Sequence, residues 1–479
     1  MALQADGVKA LMDYESSLNE DLFAKLSNAD IHAWPYLRRP FGQAIARIEF
    51  PREPPMKPAS RRKALGSLAR SLAPSANDAT RAPRSTDVLF VVAGRTKSTV
   101  DGESMNWLTD YFAADLSSPA TVIQYRELPN DGTPLAFADT YSLHRAELLV
   151  DLKTTLRPLS DSHRQSTIDL AMSIANDIDY PIDEASAMNA AEKAIRNQAR
   201  VVGMRDKFRR VLDRMNPRHL VMDGASYGGS RAIQVREAKE RGIHVSELQH
   251  GWIGPSHGAY NCGAAMWDQR LFQYFPDTLL TFGDYWSRSV VTPSTTIPVG
   301  KPHIERLAES STAASDRPKT VLVVSGVYKR DELIAYTKAV RDALPDDWTV
   351  LLRPHPLELS QVDEFTAAVA GESGIEIDLS ADVFEALGNS RMVFGYASTV
   401  LYEALQFDCV PVIFDSPLAS HYVDHPAFKR LVRSVDEIHR VVAEILATQQ
   451  QSDAADWDSQ KADVWAPAGV ERFRAFITQ

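Results

Sequence analysis

The chain has 479 residues, 44% of them hydrophobic and 24% charged, with a net charge of −11 and an isoelectric point near 5.6. That length exceeds a single core and implies two or three domains, and the acidic balance argues against nucleic-acid binding through a general basic field. With only two cysteines, Cys262 and Cys409, no apolar leader in MALQADGVKALMDYESSLNEDL and no apolar run of membrane-spanning length, a cytoplasmic protein without disulfides is expected.

Residues 1–85 read as an N-terminal helical and basic extension. Eleven basic residues fall between Arg38 and Arg84, opposed only by Glu49, Glu53 and Asp78. Within them RRKALGSLARSLAPS spaces Leu65, Leu68 and Leu72 at helical intervals. Two readings stay open for residues 38–84: a solvated, proline-rich linker, or a contact with an anionic membrane surface at the inner face.

From TDVLFVVAG onward, short apolar strands alternate with amphipathic helices. ATVIQYREL, PRHLVMDG, IHVSELQHG and DTLLTFG read as strands, GGSRAIQVREAKERG as a helix, and TTIPVGKPHIERL closes the run. Strands separated in this way imply parallel βαβ units, placing one Rossmann-like domain at 86–305. AESSTAASDRPK breaks the composition. The pattern then restarts with strands in TVLVVSG, WTVLLRP, IEID, RMVFGY and VPVIF, separated by helices, giving a second such domain at 306–440. Closing helices are expected at 441–479.

Ligands of open parallel sheets bind beyond the carboxyl ends of strands. In the second domain that rule selects Gly326 and Lys329 after the first strand, and Arg353, His355 and Pro356 at the end of the second. It also selects Ser398 and Thr399 at a helix start, where amide N–H groups attract phosphate. Glu403 follows Thr399 by one helical turn and suits the two hydroxyls of a ribose. In the first domain, LQHGWIGPSHGAY (Leu248–Tyr260) leaves a strand and presents Gln249, His250, Gly251 and His257, and a histidine there can accept a proton near neutral pH. Each element also has a plainer explanation: a turn for His355-Pro356, a helix cap for Ser398, a surface charge for Glu403, a strand exit for His250. No Cys/His cluster has metal-ligand spacing, and no GxGxxG or Walker A pattern occurs.

LLRPHP followed by GYASTVLYEAL resembles the HP and S/T motifs of bacterial sialyltransferases, Kdo transferases and poly(glycerol-phosphate) polymerases, over residues 86–440. The resemblance implies an α/β GT-B fold of two Rossmann-like domains around a cleft and a CMP- or CDP-linked donor as co-substrate, without cofactor or metal. His355 and Ser398 or Thr399 would hold the donor phosphate and Glu403 the ribose. LQHG is similar to an HG loop of capsule and teichoic-acid polymerases, which would make His250 an active-site group. Where the sialyltransferases carry an acidic pair before glycine, VMDGAS has Met222, leaving Asp223 and His250 as rival bases. Asp101 and Asp110, in VAGRTKSTVDGESMNWLTDYF, resemble acidic positions of surface-polysaccharide transferases and are assigned to the acceptor side.

The expected activity is transfer of a CMP-linked acid sugar, of sialic acid or Kdo type, to a capsule, lipopolysaccharide or lipid-linked glycan. The alternatives are CDP-polyol phosphate transfer, epimerisation of a nucleotide sugar, and a non-catalytic role in glycan assembly.

Overall fold

The computed structural model describes residues 5–50, 77–94, 96–98, 102–125, 128, 133–448 and 454–479. Its strands are β1 (Val88–Val92), β2 (Thr96–Ser98), β3 (Ser104–Asn106), β4 (Ala120–Gln124), β5 (Thr140–Ser142), β6 (His219–Asp223), β7 (His244–Leu248), β8 (Thr278–Thr281) and β9 (Thr295–Pro298). They continue with β10 (Thr320–Val324), β11 (Thr349–Arg353), β12 (Ile375–Ile377), β13 (Met392–Gly395), β14 (Val410–Phe414) and β15 (Leu431–Val432). VLFVV and TVLVV are buried along their whole length, as strands covered on both faces by helices must be.

Two parallel sheets result, ordered β5-β4-β1-β6-β7-β8-β9 and β12-β11-β10-β13-β14-β15. In each, the chain runs outward one way from its first strand and then reverses to the other side of it. The crevices where the order reverses lie between β1 and β6, and between β10 and β13. This is the GT-B arrangement of two Rossmann-like domains. A mixed cluster joins them, with Tyr260, Phe282 and Trp286 from the first packed against Leu401, Tyr402 and Phe428 from the second.

The N-terminal helices are not a free extension. Leu11, Trp34 and Phe41 share one core with Ala190, Ala194, Ile233 and Met266 of the first domain. The expected basic connector therefore begins later than Arg38, which lies inside the helix Trp34–Glu49. Arg38 is only 3% exposed: Nε donates to Glu15 at 2.6 Å, and its terminal nitrogens donate to the carbonyls of Ala259 (3.1 Å) and Asn261 (2.7 Å). Arg81 and Arg84 are exposed, whereas Arg52, Lys57, Arg61, Arg62, Lys63 and Arg70, with the three leucines, lie outside the described residues.

The closing helices divide between the domains. Val441 and Ile445 of helix Val435–Thr448 enter the core of the second domain, whereas Phe473 and Phe476 of helix Gly469–Ile477 pack with Phe90 and Phe112 of the first. Among the described residues, no helix is long and apolar enough to cross a membrane.

Arg38→Met would leave the Glu15 carboxylate buried without its cation, and breaking such a pair costs about 3–5 kcal/mol. Denaturant titration should show that loss, with part of it restored in Glu15→Gln/Arg38→Met. A loss below about 1 kcal/mol would mean that water reaches Glu15.

Candidate active site between the two sheets

At the first crevice, Asp223 ends β6 and is 3% exposed. Its Oδ1 accepts the Ala93 N–H, from the exit of β1, at 3.0 Å and the Arg231 guanidinium at 3.1 Å. The carboxylate thus straddles the reversal point. The loop after it needs glycine: Gly228 has φ +69°, and a Cβ there would lie 1.9 Å from the Pro35 carbonyl.

On the neighbouring strand, His250 sits two residues beyond β7, half-buried, with its ring edge-on to Tyr227 at 5.3 Å. Tyr227 also stacks on His257 at 5.9 Å and carries the Arg39 guanidinium 3.9 Å above its ring centre. Under this cluster lies Glu247, fully buried, which accepts the Tyr260 hydroxyl at 2.7 Å and the Ser226 hydroxyl and N–H at 2.6 and 2.8 Å. Burial raises its pKa, against the opposing pull of those hydrogen bonds.

Gln249 is a brace rather than an acceptor ligand. It is fully buried, takes the Phe282 N–H at 2.7 Å and donates to the Gly251 carbonyl at 2.9 Å. Gly251 has open space where a Cβ would stand. Asp110 closes its own turn, accepting the Asn106 N–H (2.8 Å) and the Thr109 hydroxyl (3.1 Å), and burial pushes its pKa up to about 6. Neither bond brings it to the Tyr227 cluster. Asp101 lies outside the described residues.

At the second crevice, a Cβ on Gly326 would approach the Ala397 carbonyl to 3.1 Å, so the exits of β10 and β13 touch. Val327 and Lys329 are held at φ +58° and +47°. That backbone region is unfavourable for any L side chain and worst for a β-branched one, at about 1–3 kcal/mol each. Ser398 caps helix Thr399–Gln406 by accepting the Val400 N–H at 3.2 Å, which leaves Thr399 as the first helical residue. His355 is also a cap, as the turn explanation supposed: Nδ1 accepts the Leu357 N–H at 3.1 Å, and its own N–H donates to Glu358 at 3.0 Å. An accepting Nδ1 fixes the neutral tautomer with hydrogen on Nε2, a donor suited to phosphate. Pro356, exposed, starts the capped turn.

Three of the donor-side residues have partners within the chain. Arg353 donates to Asp378 at 2.5 Å and to Ser380 at 2.9 Å, bracing the exit of β12. Lys329 Nζ pairs with Glu332 at 3.0 Å. Glu403, 7% exposed, receives Lys301 Nζ at 2.6 Å, so its carboxylate joins the two domains instead of standing open for a ribose. Trp252, in the His250 loop, makes a second bridge: its indole N–H donates to the Tyr422 carbonyl at 3.0 Å and the two rings stack at 4.1 Å. Among the described residues, no three His, Cys, Asp or Glu side chains gather as a metal site requires.

No family model matches the sequence, and no curated protein matches it. Solved structures with similar folds include a UDP-GlcNAc 2-epimerase from Methanocaldococcus jannaschii (11% identity, 82% of this chain and 99% of that one, TM-score 0.45). Another is a UDP-GlcNAc 2-epimerase from Neisseria meningitidis bound to UDP-GlcNAc (10%, 82% and 98%, 0.46). The GtfA/B complex is a third (14%, 58% and 60%, 0.37). Likeness of this strength identifies neither a substrate nor a reaction.

His257 tests the packing of the cluster. Burial, with His250 and Arg39 nearby, lowers its pKa to about 3. Above about pH 6.5 the ring is neutral in folded and unfolded chains alike; as pH falls from there toward 3, only the unfolded chain takes the proton. Stability should therefore drop by up to about 1.4 kcal/mol per pH unit on its account. Denaturant melts at descending pH should show a shallower slope for His257→Gln. Equal slopes would show that solvent reaches the ring.

Proposed function

We propose that the protein is a nucleotide-sugar glycosyltransferase whose donor is a CMP-linked acid sugar and whose acceptor is a surface-polysaccharide or lipid-linked glycan. The observation that carries this reading is the pair of crevices, one at the carboxyl edge of each sheet, with bridges between the domains beside both. The second crevice offers the His355 Nε2–H, the Ser398 hydroxyl and helix amides, donors for a nucleotide phosphate that gains charge as it leaves. The first offers His250 and Asp223. The reaction needs a base to take the acceptor hydroxyl proton while the sugar–phosphate bond breaks and the glycosidic bond forms. His250, half-buried on Tyr227, is the base in this reading. Asp223 orients Arg231 and is the rival.

Thermal melts with CMP, CDP, UDP and GDP test the donor. A cytidine nucleotide at about 100 times its Kd should stabilise by about 2.7 kcal/mol. Stabilisation by UDP or GDP alone would refute the cytidine assignment. For the base, His250→Ala should lower kcat by about 10²–10⁴ with nucleotide affinity nearly intact. Full loss in Asp223→Asn beside near-normal turnover in His250→Ala would transfer the role to Asp223. Conversion of a nucleotide sugar without any acceptor would replace transfer by epimerisation, and a polyol phosphate in the product would replace sugar transfer by phosphotransfer.

A further inference from the structure

Beside the first crevice is a cavity of about 850 Å³, walled by helix Trp34–Glu49, helices His144–Leu156 and Glu184–Met215, and the exits of β4 and β6. Its volume falls in the range of sites that enclose small organic ligands. Six basic and two acidic side chains line it. Both acids, Asp151 and Glu147, are engaged by Arg200, at 2.6 and 3.9 Å.

The other cations have no such partner in the wall. Arg39 and Arg196 are exposed into the cavity, and neither makes a hydrogen bond or ion pair among the described residues. Among the described residues, Lys193 donates only to the Gln43 amide oxygen, at 3.1 Å. Its pKa is lowered by burial first and then by the charges of Arg47, Arg196 and Arg39. Arg231 gives Nη2 to Asp223 and lies 3.7 Å over the Tyr125 ring, while its Nη1 is a buried donor without a hydrogen-bond partner. These like charges repel one another, and an anion among them relieves that repulsion while accepting the unused N–H groups.

We infer that this cavity binds an oxyanion carried by a sugar, a carboxylate or a phosphate on the acceptor glycan, and holds that glycan toward His250. The name acceptor rests on the transferase reading; the binding of an acidic sugar does not. Two contacts set the direction. Tyr227 lines the cavity and meets the His250 ring, and Arg231 lines the cavity and bonds Asp223. A glycan anchored by its anion thus lies next to both candidate bases.

Calorimetry on the full chain without nucleotide tests this with three probes: tetragalacturonate for carboxylate, a glycerol-phosphate oligomer for phosphate, and maltotetraose as the neutral control. At least one acidic probe should bind, weaken between about 0.05 and 0.5 M NaCl, and exceed maltotetraose by roughly 10-fold or more. The arm that binds distinguishes carboxylate from phosphate. Arg39→Gln and Arg196→Glu should each weaken it by roughly 10-fold or more. Because Arg196 is exposed, its variant carries the test even if Arg39→Gln melts early. The inference is overturned if neither acidic probe binds, if maltotetraose binds equally, or if Arg196→Glu binds as well as the parent. Acidic-sugar binding in a protein that ignores every nucleotide would dismiss the transferase reading and leave this site standing.

Discussion

The candidate site depends on one buried ion pair. Glu15 and Arg38 are both withdrawn from water, so each must be satisfied from within. Glu15 takes the Arg38 guanidinium, the Trp34 indole N–H at 2.9 Å and the Gly263 N–H at 2.7 Å, and Arg38 holds the carbonyls of Ala259 and Asn261. Two helices and the end of the His250 loop are thereby fixed to one another. With Arg38 turned inward, the next residue along the helix, Arg39, is turned to the cavity and lies over Tyr227. The other end of the loop is fixed by Gln249. A histidine between two such anchors needs little reorganisation to act as a base.

The two domains are joined by polar contacts within an apolar seam. Lys301 with Glu403, the Tyr285 and Tyr402 hydroxyls at 2.9 Å, and the Trp252 indole on Tyr422 each cross it. Lys301 also lies 4.8 Å from the Trp107 ring centre and 5.4 Å from that of Phe384, so aromatic faces assist its desolvation. Apolar contact alone would let the domains slide. Directed hydrogen bonds select one register of loop against loop.

Much of this was legible in the sequence because parallel strands buried on both faces leave unbroken apolar runs, and TVLVV or VLFVV is hard to read otherwise. The carboxyl-end rule then reached Gly326 and Ser398, the strand exit LQHG reached His250, and the resemblance reached Asp223, without any contact being known. Burial of charge was not legible. Arg38 and Arg39 are the same letter twice, yet one is a core ion and the other faces a cavity. Glu403 and Arg353 were placed correctly on their elements, but their partners Lys301 and Asp378 come from distant segments. The cavity was invisible for the same reason: Arg39, Arg196 and Arg231 converge from three separate parts of the chain. Glu247, in an alternating strand, carried a weak signal, a carboxylate where the pattern places a buried residue.

The return of helix Gly469–Ile477 to the first domain bears on how the protein is made. Phe473 and Phe476 complete the apolar layer over Phe90 and Phe112, yet they leave the ribosome about 380 residues later. Through most of synthesis the first sheet carries an uncovered aromatic face, while the second sheet can close as soon as its own strands and helix Val435–Thr448 have emerged. Domain order along the chain is thus the reverse of the order of completion. A nascent chain of this kind has reason to be held by a chaperone at the sheet that was translated first.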